Sequence, residues 1–507
     1  MGYLNGIFLD LPLVLGLGAI AAGYVQDGTP LPLSLLYVST ALVAWCVLTF
    51  AANRSALRDW PCEPFPRTLP VLGNLHCAGA KFMGYIVGCA KEHGKLFLFW
   101  PGNSPMVVEA DPNAARQVLG DINTFAKGPD YREKFGVVFG EGLVTSVGKK
   151  HSQGRRCLGK YFVRDSLANH MELISSEVDR LLDRMVEPRV GEVLNMEELY
   201  AELTLQVFCQ VQLSWDIGAV EGGKFAKFMS HIVAFGSNVI GEHMIFGIPM
   251  WDIFPRVRRL KKAKVRGYDR LDVLVEERRA AVAKGDDVPD DCLTAMINEG
   301  FETKQITEHV VTLISAGHDT TAYFCSYMSY MLGQHPDVQD KVSAEMGKVL
   351  GKRTSVTAAD IDNLTYTKTV MQETLRLYPV IPMLTRLCTK DVSLKESGKR
   401  IKEGTRVLVP FFVMNRMPDV WPEPNKFDPE RFAAESKFLV PNKGFIPFGY
   451  GSRMCIGYTM AQMESYVIFS LLLKRFKFEA VEDYKPRLTA GISLTSGNGI
   501  KVRVQRR

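Results

Sequence analysis

The sequence predicts one large, mostly α-helical domain that follows an apolar N-terminal segment. Long helical patterns occupy residues 306–333 and 458–476, whereas residues 96–108 have the pattern of a β-hairpin with its turn at residues 101–103. No internal repeat and no Gly/Ser-rich linker divides the chain after position 60. We therefore expect a single catalytic or binding domain at residues 61–507.

The N-terminal segment, residues 1–60, carries two uncharged apolar stretches, at residues 11–25 and 31–52. The second is long enough to cross a bilayer at ~20 residues per span. Arg54 and Arg58 follow it, so the positive-inside rule predicts that the downstream chain faces the cytosol. A cleaved signal peptide fits less well because no basic residue precedes the first stretch. Residues 1–60 are thus predicted to be a membrane anchor, and one span or a two-span hairpin would both fit.

Prolines follow this anchor closely. They are Pro61, Pro64, Pro66 and Pro70. Because proline blocks helix continuation and stiffens a linker, we interpret them as a rigid tether, with an ordinary irregular loop as the alternative.

The ten cysteines are scattered without close pairs, which favours reduced thiols on the cytosolic side of a membrane. The net charge of +6 is small for this length and does not indicate nucleic-acid binding.

The strongest chemical motif is residues 445–457, F-I-P-F-G-Y-G-S-R-M-C-I-G, which we call the Cys loop. It holds five residues at fixed offsets: Phe448, Gly451, Arg453, Cys455 and Gly457. Glycines allow a close backbone approach to a flat ligand, and the following helix N-terminus stabilises a negative sulfur. Cys455 is therefore a candidate metal ligand.

Two other kinds of site are excluded for the Cys loop. Structural zinc needs four Cys or His ligands, but Cys388 is the nearest other cysteine and no histidine follows His335. A dinucleotide fingerprint fails because Met454 stands where its third glycine belongs. A single axial cysteine on haem iron fits better. The loop, F-x-x-G-x-R-x-C-x-G, resembles the haem-binding loop of the cytochrome P450 monooxygenases.

The resemblance covers roughly residues 60–507 and implies a mainly α fold with small β-sheets, a helical triangular prism around a buried haem b. Cys455 would be the axial iron ligand, with Phe448, Gly451, Arg453 and Gly457 at the cofactor. The proline-rich segment and residues 412–432 resemble eukaryotic microsomal, membrane-anchored members. That likeness implies the endoplasmic reticulum membrane, with the catalytic domain facing the cytosol.

A second motif, Ala316-Gly317-His318-Asp319-Thr320-Thr321, lies in the middle of the helical stretch 306–333. Glycine and threonine oppose helix propensity there, and such a local conflict marks a candidate functional site. By resemblance, Asp319 supplies protons, Thr320 holds a relay water, and Ala316 and Gly317 lie at the cofactor. Peroxide isomerases often lack this acid–alcohol pair. Fatty-acid ω-hydroxylases often carry Glu at the position of Ala316.

Further haem and pocket residues follow from the resemblance. Arg155, in a predicted helix at residues 149–162, and Arg386 match arginines that bind the haem propionates, a role that suits the guanidinium fork. His151 replaces the usual tryptophan, so a propionate contact and a surface histidine are equal interpretations.

The expected pocket residues are Ile314, Val380, Ile381, Met383 and Leu384. Glu373 and Arg376, at i and i+3, would form with Arg431 a buried triad that braces the Cys loop.

Other segments are described by weaker patterns. Residues 125–147 are predicted to be a long loop that covers the pocket. Residues 208–255 are rich in aromatic residues and Met, which fits plain helix packing or a pocket roof near the bilayer. Residues 256–266 contain seven basic residues, which indicates a solvated helix face or contact with anionic lipid.

Together these features predict a haem-thiolate monooxygenase that hydroxylates a lipophilic substrate, with a sterol first and a long-chain fatty acid second. Electrons would come from NADPH through NADPH–cytochrome P450 reductase, with cytochrome b5 as a second partner, because the chain has no flavin or nicotinamide fingerprint. The rivals are a haem-thiolate isomerase or lyase of lipid peroxides and a non-catalytic haem sensor or carrier.

Overall fold

The computed structural model describes residues 33–60, 67–70, 72–78, 82–102, 104–245, 250–434 and 444–507. Several predictions concern residues outside these ranges. They are the first apolar stretch at 11–25, the hinge prolines Pro61, Pro64 and Pro66, and Asn103 of the predicted hairpin turn.

Helices account for most of the described chain. The α-helices are α1 (Leu33–Ala56), α2 (Leu75–Ala78), α3 (Phe82–His93), α4 (Pro112–Gly120), α5 (Gly136–Phe139), α6 (Gly148–Gly159), α7 (Arg164–Ala168), α8 (Met171–Leu181), α9 (Met196–Leu213), α10 (Lys224–Ile245), α11 (Pro255–Lys284), α12 (Cys292–Asn298), α13 (Thr303–Gln334), α14 (Pro336–Leu350), α15 (Ala358–Ile361), α16 (Thr365–Leu377), α17 (Phe411–Met414) and α18 (Tyr458–Arg475). Short 3₁₀ turns lie at Lys160–Phe162, Glu187–Arg189, Pro429–Phe432 and Gly451–Arg453, and π turns at Tyr131–Phe135 and Leu182–Val186.

The strands form four small sheets in the described chain. They are β1 (Leu96–Phe99), β2 (Met106–Glu109), β3 (Phe125–Ala126), β4 (Val193–Asn195), β5 (Leu384–Cys388), β6 (Val392–Ser393), β7 (Arg400–Ile401), β8 (Arg406–Val409), β9 (Phe476–Glu479), β10 (Leu488–Ala490), β11 (Leu494–Ser496) and β12 (Lys501–Arg506). The largest sheet has the order β1-β2-β8-β5-β3, and β12 pairs with both β4 and β9. This arrangement confirms the predicted fold class of a mainly α protein with small sheets.

Helix α13 is the central helix of the fold. A capping box between Glu302 and Gln305 fixes its start, and most of its residues are buried. Helix α9 packs along it, and the hydroxyl of Thr204 donates to the carbonyl of His318 at 2.9 Å. A helix that is buried on nearly all sides carries apolar residues around its whole circumference. Polar side chains are nevertheless buried along the length of α13, Thr307, Thr312 and Ser326 among them, so residues 316–321 are set apart by their glycine and their acid–alcohol pair.

Several local predictions are confirmed. Strands β1 and β2 pair antiparallel from Leu96 with Glu109 to Phe99 with Met106, as the hairpin pattern predicts. Helices α6, α13 and α18 match the predicted helical stretches within a few residues. Residues 125–147 differ from the predicted long loop, because β3, a π turn and α5 lie within them. These elements are short, and their glycines hide the periodicity that would have indicated them.

Residues 33–52 of the predicted second apolar stretch lie within α1, whose Phe50 packs edge-on against Trp100 with ring centroids 5.3 Å apart. On the same helix, Trp45 and Leu48 are exposed. In the part of the chain that the structure describes, none of the helices combines the length and the apolar character needed to cross a membrane.

Candidate haem-thiolate site

A cavity of about 390 Å³ lies between the central helix α13, the Cys loop and the start of β5. Much of its wall is apolar, with contributions from Phe99, Met106, Phe208, Leu313, Val380 and Leu384. Its size and its lining are typical of small-molecule sites in proteins. Such a cavity suits a lipophilic ligand that is oriented by a few polar groups.

The Cys loop turns sharply before α18 and brings Cys455 to the cavity. Gly449 and Gly451 have φ values of 78° and 76°, a region that favours glycine. A side chain at Gly451 would also lie 3.0 Å from the Cα atom of Gly120. The amide of Cys455 donates to the carbonyl of Phe448 at 2.9 Å, which closes the turn.

The Cys455 sulfur lines the cavity. Its accessible surface faces this interior space, so the thiol is both accessible and enclosed by protein. Burial raises the pKa of the thiol, while the amides of Gly457 and Tyr458 and the Arg155 guanidinium act to lower it. The sulfur thus has donors for an anionic form, but burial opposes that form until a positive partner is present. A bound metal ion would supply that charge.

Besides the exposed Lys368 on α16, three cations lie on the cavity wall: Lys127, Arg386 and Arg453. Each donates to a main-chain carbonyl, those of Val144, Thr385 and Ser146 respectively. Among the described residues, none of the three has a carboxylate within ion-pair distance. Burial and the neighbouring arginines lower the pKa of Lys127 well below its usual range, and the pKa of Arg453 falls to about 10. A cluster of buried cations fits a ligand that brings anionic groups.

Arg155 and His151, both on α6, lie behind the loop and do not line the cavity. Arg155 donates to the carbonyl of Met454 at 2.7 Å. His151 is buried, so the interpretation as a surface histidine is wrong. Burial, followed by the charge of Arg453, lowers its pKa to about 4, so the imidazole is neutral at physiological pH.

The central helix presents Ala316, Gly317 and Thr320 to the cavity, and the Thr320 hydroxyl donates to the Ala316 carbonyl at 2.7 Å. The predicted pocket residues Val380, Ile381, Met383 and Leu384 line it as well. Ile314 does not, which corrects the prediction for that residue. Leu313 occupies the wall because it shares a face with residues 316, 317 and 320, whereas Ile314 points about 100° away into the core.

Asp319 is buried on the side of α13 away from the cavity. Its carboxylate accepts a hydrogen bond from the Ser493 hydroxyl at 3.3 Å and another from the Tyr323 side chain. Burial raises the pKa of Asp319 to about 7. Asp319 can therefore exchange a proton near neutral pH, although its carboxylate does not point into the cavity.

Sequence reasoning missed several charged residues of this region, among them Lys127 and Glu197. Lys127 follows β3 and reaches the cavity only because that strand pairs with β5. Glu197, in the first turn of α9, accepts a hydrogen bond from the Ser496 amide at 3.1 Å and lies close enough to Asp319 for their charges to interact. Burial raises the pKa of Glu197 to about 7. Neither residue belongs to a local motif, so tertiary contacts alone reveal them.

Glu373, Arg376 and Arg431 come together in the buried core. The Arg376 guanidinium binds Glu373 in a bidentate manner at 2.6 and 2.8 Å, and the Arg431 Nε lies 3.5 Å from the same carboxylate. Arg376 also donates to three main-chain carbonyls, those of Asn415, Pro424 and Lys426. The cluster thus fixes the irregular segment that leads towards the Cys loop.

A cysteine sulfur on the wall of a largely apolar cavity, with cations that lack carboxylate partners among the described residues, is the kind of site that suits a metal-bearing anionic cofactor beside a lipophilic ligand. Residues 64–501 match the family model for cytochrome P450, and the chain belongs to this family. It is similar to cytochrome P450 3A29 of Sus scrofa, with 27% identity over 83% of this chain and 86% of that protein. It also resembles cytochrome P450 4c3 of Drosophila melanogaster, with 25% identity over 99% of this chain and 98% of the relative. Cyclooctat-9-en-7-ol 5-monooxygenase of Streptomyces melanosporofaciens is 27% identical over 84% of this chain and 91% of that enzyme.

The family implies a haem-iron cofactor and an oxidoreductase of the monooxygenase type. The site has the chemistry to hold such a group, because it offers one sulfur ligand and cations that lack carboxylate partners within the described residues. The relatives named above come from a mammal, an insect and a bacterium, so family membership alone leaves the substrate undetermined.

Proposed function

We propose that the protein is a haem b monooxygenase that hydroxylates a lipophilic substrate, with a sterol favoured over a long-chain fatty acid. The observation that carries this proposal is the meeting of Cys455, Thr320 and a largely apolar wall around one cavity. In this assignment Cys455 ligates the iron, and Lys127, Arg386 and Arg453 bind the propionates. Arg155 and His151 would support the loop from behind.

A bound haem would supply the reductive chemistry of dioxygen, in which two electrons and two protons are consumed, one oxygen atom enters a substrate C–H bond and the other leaves as water. The chain's own residues would then control protons and water. Thr320 already donates to a main-chain carbonyl, a bond that a bound water could replace. Asp319 would bring protons to this water from its buried position, aided by a pKa near neutrality. The apolar wall would hold the substrate and exclude bulk water.

The proposal extends to the surroundings of the enzyme. Residues 1–60 would anchor it to the endoplasmic reticulum membrane, and residues 61–507 would form the catalytic domain on the cytosolic side. The uncharged stretch at 31–52, the arginines after it and the exposed Trp45 and Leu48 support an anchor. NADPH–cytochrome P450 reductase would donate electrons, and cytochrome b5 is a second candidate donor.

Turnover with purified reductase and NADPH tests this function against its rivals. A monooxygenase consumes oxygen in step with hydroxylated product. A peroxide isomerase or lyase would instead convert lipid peroxides without the reductase, and a haem carrier would do neither. Product formation that requires no electron donor would contradict the proposal.

The Thr320→Ala variant tests the proposed proton relay. We expect NADPH consumption to persist while product falls and peroxide rises, because the variant lacks the hydroxyl that would hold the proton-carrying water in the cavity. Ser326→Ala is the matched control, since Ser326 makes the same bond to a preceding carbonyl of α13 but does not line the cavity. Unchanged coupling in Thr320→Ala would refute the relay.

A further inference from the structure

A stripe of acidic and phenolic side chains runs along the face of α13 that is turned away from the cavity. Asp319, Tyr323 and Tyr327 follow one another at i, i+4 and i+8, so they lie along one side of the helix. All three are buried, and none of them lines the cavity. Of the three, the proposed chemistry uses Asp319 alone.

Strand β11 and the residue before it cover this stripe and connect it to α9. The Ser493 hydroxyl donates to the Asp319 carboxylate at 3.3 Å, and the Ser496 amide donates to Glu197 of α9 at 3.1 Å. Between these contacts, the Tyr327 hydroxyl donates to a main-chain carbonyl of the strand at 3.2 Å. A strand advances about 3.3 Å per residue, so the two acids are held at points about 10 Å apart on one extended segment.

Tyr323 connects the two acids. Its side chain makes a hydrogen bond with the Asp319 carboxylate, and it lies close enough to Glu197 for their charges to interact. A phenol hydroxyl both donates and accepts hydrogen bonds. Tyr323 can therefore hand its own proton to Asp319 while it takes another from an acid on its other side.

Glu197 differs from Asp319 in its access to water. Glu197 is half-buried in the first turn of α9, whereas Asp319 is only 7% exposed. The half-buried Ser496 beside Glu197 donates through its hydroxyl to the Asn498 side chain at 2.8 Å, so polar groups continue from Glu197 towards the surface. Glu197 is thus the acid of the pair that solvent can reach.

Charges around the two acids leave both free to exchange protons. Among the described residues, neither Glu197 nor Asp319 has a cation within ion-pair distance, and burial raises the pKa of each to about 7. The other titratable groups that face Glu197 are Glu198, Tyr327 and Tyr484. None of these three can carry a positive charge that would hold Glu197 ionised.

We propose that Glu197 is the proton entry of this enzyme and that Tyr323 carries protons from it to Asp319. In each transfer, the Glu197 carboxyl gives its proton to the Tyr323 hydroxyl as this hydroxyl gives its own to the Asp319 carboxylate, so the phenol stays neutral. Glu197 then regains a proton from water at the surface. The inference rests on the proposed function, because it adds an entry to the proton route that Asp319 and Thr320 would complete. Glu197 and Tyr323 act through Asp319, and neither touches the cavity.

The Glu197→Gln variant tests the entry in turnover with reductase and NADPH. Glutamine keeps an oxygen acceptor for the Ser496 amide but has no proton to release. We expect product formation to slow about a hundredfold, the lower end of what general acid–base catalysis contributes, and the solvent deuterium isotope effect to rise because proton supply becomes limiting. KM should not change, since Glu197 lies outside the cavity. Product per NADPH should also persist, because Thr320 is intact.

Hydrogen–deuterium exchange at the Asp319 carboxyl gives a readout that needs no turnover. Time-resolved infrared spectroscopy of the resting protein, below the pKa of about 7, follows the exchange of this buried proton after mixing with D₂O. We expect slower exchange in Glu197→Gln and in Tyr323→Phe than in the wild type. Absence of coupled product in the wild type would refute the proposed function, whereas a fully active Glu197→Gln variant would refute the entry alone.

Glu198→Gln is the matched control, because Glu198 is the neighbouring acid on α9, is exposed and accepts a hydrogen bond from Asn195 at 2.8 Å. It should behave like the wild type in both measurements. Glu197→Ala should regain part of its rate when formate, but not chloride, is added, since a small acid can take the place of the missing carboxyl. Equal behaviour of Glu197→Gln and Glu198→Gln would overturn the proposal. A slow Glu197→Ala variant that formate does not restore would also overturn it, because the residue would then serve only the fold.

Discussion

Asp319 illustrates how a single buried residue links stability to the proposed function. Its pKa rises from an ordinary 3.8 to about 7 because burial disfavours the charged carboxylate. Its contribution to stability is therefore fully present below pH 3.8 and is lost as the pH rises through about 7. Ionisation of this buried carboxylate thus destabilises the fold, and it does so at the position where the proposed function needs a proton donor.

We expect Asp319→Asn to be more stable than the wild type at pH 8, by at most about 4 kcal/mol, and to lose most of this advantage at pH 4. Asparagine cannot ionise, but its carbonyl can still accept from Ser493. Thermal unfolding of both proteins at the two pH values measures the difference. Asp287→Asn, at an exposed position, controls for net charge. A pH-independent difference would mean that Asp319 does not titrate in this range.

At the residue scale, local motifs correctly predicted that Thr320 and Cys455 line the cavity. They did not predict in which direction the side chain of Asp319 points. Thr320 and Cys455 line it as the resemblance implies, because each lies in a segment whose backbone is set locally. Asp319 points to Ser493, on a hairpin more than 170 positions away in the chain. Lys127 depends on a strand pairing across an even longer separation. Contacts of this kind leave no trace in a local pattern.

At the scale of elements, Gly317 shows why two helices can approach closely. A Cβ atom there would lie 2.2 Å from the ring of Phe208 on α9, so the glycine makes room for this ring as well as lining the cavity. Sequence reasoning identified the need for a close approach but not the partner. The cause lies in the packing of α9 against α13, which only the fold reveals.

Gly317→Ala should therefore lower the free energy of unfolding by about 1–3 kcal/mol through overpacking, despite the better helix propensity of alanine. Gly347→Ala on α14 is the control, because a Cβ atom there meets no neighbour within 4 Å. That control should be neutral or stabilising by up to about 1 kcal/mol. Chemical denaturation measures both. Equal effects of the two substitutions would contradict the packing account.

Arg376 connects helix α16 to the segment before the Cys loop. In Arg376→Lys the bidentate pair with Glu373 and most bonds to the three carbonyls would be lost, because an ammonium cannot reproduce the guanidinium fork. We expect destabilisation on the order of 3–5 kcal/mol and faster loss of haem. Haem release to an acceptor protein measures the second effect. Arg400→Lys, in an exposed pair with Asp391, should change neither property.

At the scale of the whole molecule, the sequence was sufficient for the fold class, because the Cys loop, the α13 motif and the triad occur in one order along the chain. The sequence was less informative about the segments that cover the rest of the cavity. Tyr131, Phe135, Phe208 and Met244 reach the cavity from three separate segments. The identity of the substrate depends on how these segments fit together, and this fit is a property of the assembled molecule.

The central claim is that Cys455 supplies the thiolate ligand of a bound haem. The measurement that tests it most directly is the absorbance spectrum of the purified, reduced protein with carbon monoxide. Thiolate ligation predicts a strongly red-shifted Soret band, and Cys455→Ser should lose this shift while Cys157→Ser, at a buried cysteine outside the cavity, keeps it. An unshifted band in the wild type, or a shifted band that survives in Cys455→Ser, would contradict the account.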